Sequence, residues 1–333
     1  MIKLGYLKLK NPFELDDQNL KSLSHINLSF AKVVDQKGTV EFDPYDEQKL
    51  VALRTQNPNI KISLAIGGWG AGNFSEAAST LDNRENFTKT TLAIVEKYNL
   101  DGVDLDWEYP CFSDSGISSS PDDKVNFTKL MSEIRNGLNN LETENEKKYI
   151  LTFAAGANEK LVDCVELEKL NEITDFMNLM TYDMGGSFGI AGHHASLYPS
   201  ELTEKKGGAH FVDLYVQAGY PIQKIVYGAA FYGRGGTGVD RIGSQITGEE
   251  GLYFDYHDIK KMEQDEAVSC FYDDIAKGAY CMCDGTFITY DNADSIKAKL
   301  EYVKEHKLAG IMFWEHATDN TGELLEIIIN YSE

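Results

Sequence analysis

The stretch LDGVDLDWEYP, residues 100–110, alternates acidic with apolar side chains. Successive residues of a β-strand point to opposite faces, so Asp104, Asp106 and Glu108 share one face and are spaced by roughly 7 Å per two residues. The other face carries Val103, Leu105 and Trp107. This pattern fits a barrel strand whose apolar face packs on surrounding helices and whose acids point into the barrel interior.

Three acids in one buried column indicate function rather than stability. Burying an unpaired carboxylate costs free energy, and neighbouring negative charges raise each other's pKa. Glu108 stands at the C-terminal end of the strand, where barrel enzymes carry their chemistry, while Asp104 and Asp106 lie deeper. A proton shared among the three would keep Glu108 available as an acid near neutral pH. Two other interpretations stay open: solvated acids on the edge of an open sheet, and a site that chelates Mg²⁺ or Ca²⁺.

Around this stretch, short runs rich in β-branched residues alternate with longer amphipathic segments, which is typical of repeated βα units and a parallel sheet. Eight strands are predicted, over 2–9, 25–34, 60–66, 102–107, 149–155, 176–182, 225–232 and 310–314. Apolar residues at helical spacing predict a helix over 83–98, with Asp82 as its N-cap. The predicted fold class is therefore α/β, a (β/α)8 TIM barrel.

One connection departs from this rhythm, because about 75 residues separate the seventh strand from the eighth. After a glycine-rich opening, GRGGTGVDRIGSQITG, aromatic and polar residues alternate as they do in the strands of a small sheet. We therefore predict an inserted α+β subdomain over 235–290, with the catalytic barrel built from 1–234 and 291–333. The competing interpretation, a long disordered loop, fits poorly with a segment rich in Tyr, Phe and Ile.

The chain has 333 residues and a formal net charge of −22. Such a protein would repel duplex nucleic acid and anionic membrane surfaces, but not a neutral or cationic polymer. No apolar run reaches the length of a signal peptide or a membrane span, so we expect a soluble chain that is either intracellular or a piece of a longer protein. The cysteines form no metal-binding pattern and are predicted to be mostly free thiols, with a bridge among Cys270, Cys281 and Cys283 left open.

The three tryptophans, Trp69, Trp107 and Trp314, each fall at the C-terminal end of a predicted strand. Aromatic faces gathered at one rim are typical of a cleft that stacks sugar rings. Trp107 points away from the acids and is expected to pack in the core. His193 and His194 follow the sixth strand near the same rim. We interpret them as part of a plain loop, with contact to substrate or a metal left open.

Several of these segments resemble one known family. DGVDLDWE, which begins at Asp101, matches the DxxDxDxE signature of glycoside hydrolase family 18. The family's other strand motifs are resembled in order along the chain: GYLKLK the first, HINLSFA the second, MTYDMGG the sixth, GAAFYGR the seventh and GIMFWE the eighth. The inserted segment is similar to the chitinase insertion domain, which walls one side of the cleft. This inserted segment favours a deep groove for an extended sugar chain, and the resemblance as a whole covers essentially the whole chain.

The resemblance implies substrate-assisted hydrolysis with net retention and an oxazolinium intermediate. Glu108 would protonate the glycosidic oxygen while the substrate's 2-acetamido carbonyl attacks its own anomeric carbon. Asp106 would turn to hold the acetamido N–H, and Asp104 would take up or share the released proton. Tyr182 would donate its hydroxyl to the acetamido oxygen. Glu108 would then act as base on the incoming water.

The same matching implies a set of substrate-binding residues. Trp314 would form the floor of the −1 subsite, Trp69 the platform of the +1 subsite, and Asp183 a further sugar ligand. The remaining lining residues implied by the resemblance are Tyr6, Phe30, Tyr109, Met180, Tyr232 and Arg234. Ordinary barrel packing stays open for Phe30 and Met180, as does a surface ion pair for Arg234.

Asp101 and the glycines Gly67 and Gly68 are expected to be structural parts of the motif. The family usually has Ser-x-Gly-Gly at the end of the third strand, whereas this chain has Ala65 in place of the serine. The missing hydroxyl would normally bond near the base of the acid row, so the environment of Asp104 and the pH optimum are expected to differ. No metal ligands and no cofactor are predicted.

The leading interpretation is a chitinase whose partners are chitin or N-acetylglucosamine oligosaccharides, acting as a monomer, without nucleic acid or membrane. An N-acetylglucosaminidase acting on N-glycans, peptidoglycan or spore-wall glycans would use the same acids. A non-catalytic chitin-binding lectin and a metal-dependent barrel enzyme are further alternatives, and the presence of Glu108 argues against the lectin. The resemblance favours an extracellular or cell- or spore-surface location, with a cytoplasmic one open.

Overall fold

Fourteen strands are found in the computed structural model, which describes residues 1–8, 20–43, 47–203 and 206–331. In chain order they are β1 (Ile2–Lys8), β2 (His25–Val33), β3 (Val40–Glu41), β4 (Lys61–Gly67), β5 (Gly102–Asp106), β6 (Ile150–Gly156), β7 (Phe176–Met180), β8 (Ile225–Ala230), β9 (Tyr232–Gly236), β10 (Leu252–Asp255), β11 (Ser269–Asp273), β12 (Gly278–Cys283), β13 (Thr286–Tyr290) and β14 (Gly310–Trp314).

Eight of the strands form a closed parallel barrel. Hydrogen bonds join them in the order β1, β14, β8, β7, β6, β5, β4 and β2, and β2 pairs back onto β1. The predicted (β/α)8 TIM barrel is confirmed, and the eight predicted strands agree with the observed ones to within two residues at each described end. Residue 9, the predicted end of the first strand, lies outside the described residues. The short β3 extends β2 with an antiparallel pairing.

Helices fill the connections between the barrel strands. They are α1 (Glu47–Gln56), α2 (Phe74–Ser79), α3 (Leu81–Lys97), α4 (Asp123–Asn145), α5 (Leu167–Ile173), α6 (Gly208–Gln217), α7 (Tyr256–Met262), α8 (Ala293–Glu305) and α9 (Glu323–Asn330). The predicted N-cap at Asp82 is wrong. Thr80 caps α3, because its hydroxyl accepts the backbone N–H of Asn83 at 3.3 Å, and Asp82 lies inside the first turn.

The long connection after β8 forms a second sheet. Its five antiparallel strands are ordered β10, β9, β13, β12, β11, and α7 follows β10. The alternative of a disordered loop is therefore wrong. The sheet starts at Tyr232, because the predicted seventh strand is two strands: Ala230 ends β8 in the barrel, whereas Tyr232 pairs with Asp255 in the second sheet. The domain boundaries at 235 and 290 remain a prediction.

The outer face of β5 packs in the main core, as its apolar pattern predicts. Val103, Leu105 and Trp107 are buried, and the Trp107 ring stacks on Phe74 with centroids 5.5 Å apart. Burial of an aromatic side chain removes about 150–250 Å² from water, which contributes about 4–6 kcal/mol. The predicted packing role of Trp107 is confirmed, and this packing fixes the strand that carries the acids.

All five cysteines are free thiols, so the bridge left open among Cys270, Cys281 and Cys283 is not formed. Within the described ranges, no helix combines the length and the apolar character needed to cross a bilayer.

Candidate active site

Three carboxylates form a row inside the barrel, along β5 and the residues that follow it. Asp104 and Asp106 belong to the strand and are buried, whereas Glu108 stands two residues beyond its end and is partly exposed to the cleft. Because alternate side chains share a face, all three point inward while the apolar residues point to the helices. The predicted inward row is therefore present.

Asp104 forms the base of the row and is held by neutral donors. It accepts hydrogen bonds from the Tyr6 hydroxyl at 2.7 Å, the Thr152 hydroxyl at 2.5 Å and the Asn178 amide at 3.0 Å. Burial raises the pKa of Asp104, and these hydrogen bonds oppose that rise without cancelling it. The donors come from β1, β6 and β7, so barrel closure is what assembles this setting.

Asp106 lies two residues further along β5, and its carboxyl group has fewer hydrogen-bond partners. Its Oδ1 atom is buried and has no hydrogen-bond partner among the described residues. Burial raises the pKa of Asp106 well above its usual value, and the charges of Glu108 and Asp104 raise it further. Since the acids disfavour one another's ionisation, the row favours at least one protonated member.

Glu108 stands at the top of the row with the properties of an acid. Burial raises its pKa to about 7 and the charge of Asp183 adds to the rise, while a hydrogen bond from Tyr109 opposes it. The Ser115 hydroxyl donates to the Glu108 backbone carbonyl at 2.8 Å and ties the following loop to this residue. A carboxyl group with this pKa is substantially protonated near neutral pH and can donate a proton.

Tyr182 and Asp183 follow β7 and face the row from the side. The Tyr182 hydroxyl is buried, and its contact is the Met312 sulfur at 3.9 Å. Asp183 has a left-handed backbone (φ +54°), and Arg234 grips its carboxylate through Nε at 2.7 Å and Nη2 at 3.1 Å. Burial alone would raise the pKa of Asp183, but His194 and Arg234 hold it well below its usual range.

Aromatic rings form the floor and walls above these acids. Trp314 stacks on Phe30 with centroids 5.3 Å apart, and Tyr6 meets the same indole edge-on at 5.8 Å. Elsewhere in the lining, Tyr232 stacks on Tyr253 at 5.0 Å. The Trp69 side chain is 66% exposed at the rim, as a stacking platform requires.

These groups line one cleft of about 530 Å³. The predicted residues on its wall are Tyr6, Phe30, Trp69, Asp106, Glu108, Tyr109, Met180, Tyr182, Asp183, Tyr232, Arg234 and Trp314. Asp104 lies beneath it, and Asp101, Gly67 and Gly68 lie outside the lining. The cleft therefore brings together every substrate-binding residue predicted from the sequence.

A comparison with protein families agrees with this geometry. The model of the family described as "Glycosyl hydrolases family 18" matches residues 5–319. This chain belongs to glycosyl hydrolase family 18. The match covers the acid row and the second sheet together, and it confirms the resemblance inferred from the motifs.

Other members of family 18 resemble the chain over most of its length. Chitinase A1 of Niallia circulans is 34% identical over 350 residues, covering 94% of this chain and 50% of that protein. Chitotriosidase-1 of Mus musculus is 31% identical, covering 90% and 67%. The solved structure of a family 18 N-acetylglucosaminidase from Paenibacillus barengoltzii superposes with a TM-score of 0.92 at 38% identity, covering 98% of each chain. The chain thus spans half to two thirds of the length of these two curated relatives.

The first aspartate of the family 18 signature lies at the opposite end of β5 from the cleft. Asp101 accepts the Ile62 backbone N–H at 3.0 Å and pairs with Arg54 at 2.8 Å and Lys147 at 3.2 Å. Burial would raise its pKa, but this hydrogen bond and these cations hold it below its usual range. Asp101 therefore joins neighbouring segments below the barrel, in line with its predicted structural role.

Two glycines let β4 pass close to the acid row. Gly67 has φ +123°, and a side-chain carbon there would lie 2.0 Å from the Asp106 carbonyl oxygen. Gly68 has φ +89° and donates its N–H to the same carbonyl at 2.9 Å. Ala65, the departure from the family serine, is fully buried and is the strand partner of Asp104. The missing hydroxyl is therefore next to the base of the row.

The groups able to hold a metal lie elsewhere. In the part of the chain that the structure describes, three ligand atoms approach within 4.8 Å of one another at Asp255, His257 and Asp258, and not along the acid row. His193 is within 3.3 Å of Asp273 in the second sheet, and His194 is within 3.6 Å of Asp183. His194 thus contacts a residue of the cleft lining, which the interpretation as a plain loop did not anticipate.

Sequence reasoning missed the lining that comes from loops and from the second sheet. These residues are Phe112, Asp114, Ser115, Gly156, Ala157, Asn158, Gly185, Ser187, Phe188 and Tyr253. The alternation in GLYFDYHDI was a usable signal for Tyr253. The loop residues have no periodicity, so only the tertiary arrangement places them at the cleft.

Proposed function

We propose that this protein is a retaining glycosidase that cleaves β-1,4-linked N-acetylglucosamine polymers, that is, chitin and chitooligosaccharides. One observation carries the proposal: Glu108, with its pKa raised to about 7, stands at the cleft directly above the buried Asp106. The names of Chitinase A1 and Chitotriosidase-1 support chitin as the substrate class.

In the first step, Glu108 donates its proton to the glycosidic oxygen, and the bond from that oxygen to the anomeric carbon breaks. The carbonyl oxygen of the same sugar's 2-acetamido group forms a new bond to the anomeric carbon, which gives an oxazolinium ion. Family 18 is among the exceptions to two-carboxylate glycosidases, because the substrate supplies the nucleophile. The aglycone leaves with a new hydroxyl group.

Asp106 and Tyr182 stabilise that intermediate. Asp106 turns to accept the acetamido N–H, and its negative charge offsets the positive charge on the ring. Its unpartnered Oδ1 atom is free to make this contact. Tyr182, whose hydroxyl contacts the Met312 sulfur at 3.9 Å, donates to the acetamido oxygen. Asp104 takes up or shares the proton that Asp106 gives up on turning.

In the second step, Glu108 acts as a base. It removes a proton from a water molecule, and the water oxygen attacks the anomeric carbon from the face that the aglycone left. The oxazolinium ring opens and the acetamido group is restored. Two inversions at the same carbon give net retention, and Glu108 is protonated again for the next turnover.

The aromatic residues hold the sugar chain on either side of the cut. Trp314 supports the −1 sugar and the exposed Trp69 the +1 sugar, while Asp183 hydrogen-bonds the substrate. The remaining wall is formed by Tyr6, Phe30, Tyr109, Met180, Tyr232 and Arg234. The bidentate bond from Arg234 fixes the Asp183 carboxylate, so its oxygens are positioned before substrate arrives.

A second candidate is an N-acetylglucosaminidase that removes single sugars from N-glycans, peptidoglycan or spore-wall glycans. The observation in its favour is the 38% identity to the Paenibacillus barengoltzii N-acetylglucosaminidase, with 98% of both chains covered. It would use the same acids and the same intermediate. The two candidates differ in the products they release.

The test is hydrolysis of chitohexaose, with the product anomer recorded by NMR before mutarotation and product lengths by mass spectrometry. We expect β-anomers, and about a 10²–10⁴-fold loss of kcat in Glu108→Gln. First products of two to four sugars support the chitinase, whereas N-acetylglucosamine and the pentasaccharide as the first products favour the second candidate. An α-anomer product, or full activity in Glu108→Gln, would overturn the mechanism. A wild type that binds the sugar without cleaving it would indicate the lectin.

A further inference from the structure

We propose that Asp114 gives the +1 side of the cleft a preference for a cationic amino sugar, a glucosamine unit whose nitrogen is not acetylated. The preferred substrate is then a partially N-deacetylated polymer, cut between an N-acetylglucosamine at −1 and a glucosamine at +1. This inference rests on the proposed function, because that function places the leaving sugar on the Trp69 side.

Asp114 is presented by a loop that is fixed at several points. The Gly116 N–H donates to the Ser113 carbonyl at 2.9 Å and closes a tight turn, with Asp114 at one of its two corners. The base of the loop is held by Asp123, which accepts the backbone N–H groups of Cys111 at 3.2 Å and Ser120 at 2.7 Å. The loop therefore has a defined conformation before any sugar binds.

The turn lies between the proposed acid and the proposed +1 platform. Ser115, the neighbour of Asp114, donates its hydroxyl to the Glu108 carbonyl at 2.8 Å. On its other side, a side-chain carbon at Gly70 would lie 3.7 Å from the Ser115 carbonyl oxygen, so the turn also meets the segment that carries Trp69. Asp114 and Trp69 line the same cleft.

The charge of Asp114 is uncompensated. Its side chain is exposed and makes no hydrogen bond or ion pair with the described residues. Among the described residues that line the cleft, the one cation is Arg234, and Asp183 already engages it. A carboxylate in the cleft without a cation is suited to a positively charged ligand.

A protonated amine on the +1 sugar would meet two favourable groups. The Asp114 carboxylate attracts it by charge, and the exposed Trp69 indole attracts a cation through its π face. A neutral acetamido group gains neither interaction. The −1 sugar must keep its acetamido group in the proposed mechanism, so the preference applies to one side of the cut. The net charge of −22 favours the approach of a cationic chain.

The probe is a chitosan with about half of its sugars acetylated at random, hydrolysed briefly and examined by NMR. New reducing ends report the −1 sugar, and new non-reducing ends report the +1 sugar. We expect N-acetylglucosamine at the reducing ends, and glucosamine at the non-reducing ends above its share in the polymer. The ratio of glucosamine to N-acetylglucosamine at the non-reducing ends should fall about two- to fivefold in Asp114→Asn, as for an exposed ion pair.

Two matched variants isolate the effect. Asp114→Glu keeps the charge and should keep the preference. Asp122→Asn removes an exposed acid that lies close in sequence but outside the cleft lining, and it should leave the ratio at the wild-type value. The preference should also weaken at about 1 M salt, where the Debye length is only about 3 Å. Equal melting temperatures would show that the variants are folded.

The outcomes separate this inference from the proposed function. Reducing ends of N-acetylglucosamine with no enrichment of glucosamine at the non-reducing ends would overturn the preference and leave the proposed mechanism standing. An unchanged ratio in Asp114→Asn would overturn the role of that residue. Glucosamine at the new reducing ends would contradict the substrate-assisted mechanism, and the inference would fail with it.

Discussion

The two ends of β5 carry the same functional group in opposite settings. Below the barrel, Asp101 is surrounded by Arg54, Lys147 and a backbone N–H, and its pKa lies below the usual range. At the cleft, no cation of the described residues pairs with Asp106 or Glu108, and their pKa values are raised. About five residues of one strand separate these settings.

The comparison shows how one strand serves both stability and chemistry. A carboxylate whose charge is matched by donors stabilises the fold when it ionises, because the folded state favours its charged form. A buried carboxylate without such partners destabilises the fold, yet it holds a proton near neutral pH and can give it up to a substrate. Substitutions at the two ends of β5 should therefore have opposite effects. At the cleft end activity should be lost, and at the Asp101 end stability should be lost.

Among the substitutions that test this comparison, Asp106→Asn is expected to have the largest effect. The variant loses the charge that faces the proposed intermediate, so kcat on chitohexaose should fall about 10²–10³-fold. The free energy of unfolding should stay the same or rise, because a buried acid without a partner for Oδ1 is replaced by a neutral group. Kinetics and urea denaturation of one preparation test both parts. A clear fall in the free energy of unfolding would show that Asp106 stabilises the fold, and it would contradict the contrast drawn with Asp101.

Asp101→Asn should behave in the opposite way. Loss of the contacts with Arg54 and Lys147 should lower the free energy of unfolding by about 2 kcal/mol near neutral pH, while kcat per folded molecule is retained. The folded pKa of Asp101 is depressed, so its stabilising contribution is present above the unfolded pKa of about 3.9 and is lost as pH falls through the folded pKa. Urea denaturation should find that wild type and variant converge at low pH. A constant difference across pH would contradict this account.

The pH profile tests the other end of the strand. Glu108 must be protonated to act as an acid, and its pKa is about 7. The value of kcat/KM should therefore fall about tenfold per pH unit once pH rises above about 7. The pH profile of Asp101→Asn should show the same fall of kcat/KM at basic pH (the basic limb), because that residue lies outside the cleft. A limb near pH 4.5 would mean that burial does not raise the pKa of Glu108.

The smallest effect is expected for Asp183→Asn. The charge of Asp183 raises the pKa of Glu108, so its removal should move the basic limb to lower pH, by less than about one pH unit. Arg234→Met is the matched variant, because it removes a cation beside Asp183 and should move the basic limb to higher pH. Movement of both limbs in the same direction would contradict an electrostatic cause.

Local patterns predicted those parts of the protein that depend on neighbours in the chain. The two-residue alternation around Asp104 to Glu108 predicted both faces of β5, and Trp107 packs where that pattern places it. Sequence patterns were less informative where more than one local structure fits the same residues. Thr80 and Asp82 are both suitable N-caps, and the fold selects Thr80. The apolar run over 225–232 reads as one strand, but its last residue belongs to a different sheet.

The barrel, the inward row of acids and the family could be predicted from the sequence, because strand periodicity and a short, specific motif lie in consecutive residues. Which of the acids are compensated depends on the tertiary structure. Distant segments supply the cations that pair with Asp101 and the donors that bind Asp104. They also supply Arg234, which binds the Asp183 carboxylate. The exposed position of Asp114 in the same cleft as Trp69 likewise arises from loop packing. Burial and pairing set the pKa of a carboxylate, and both depend on residues far away in the chain.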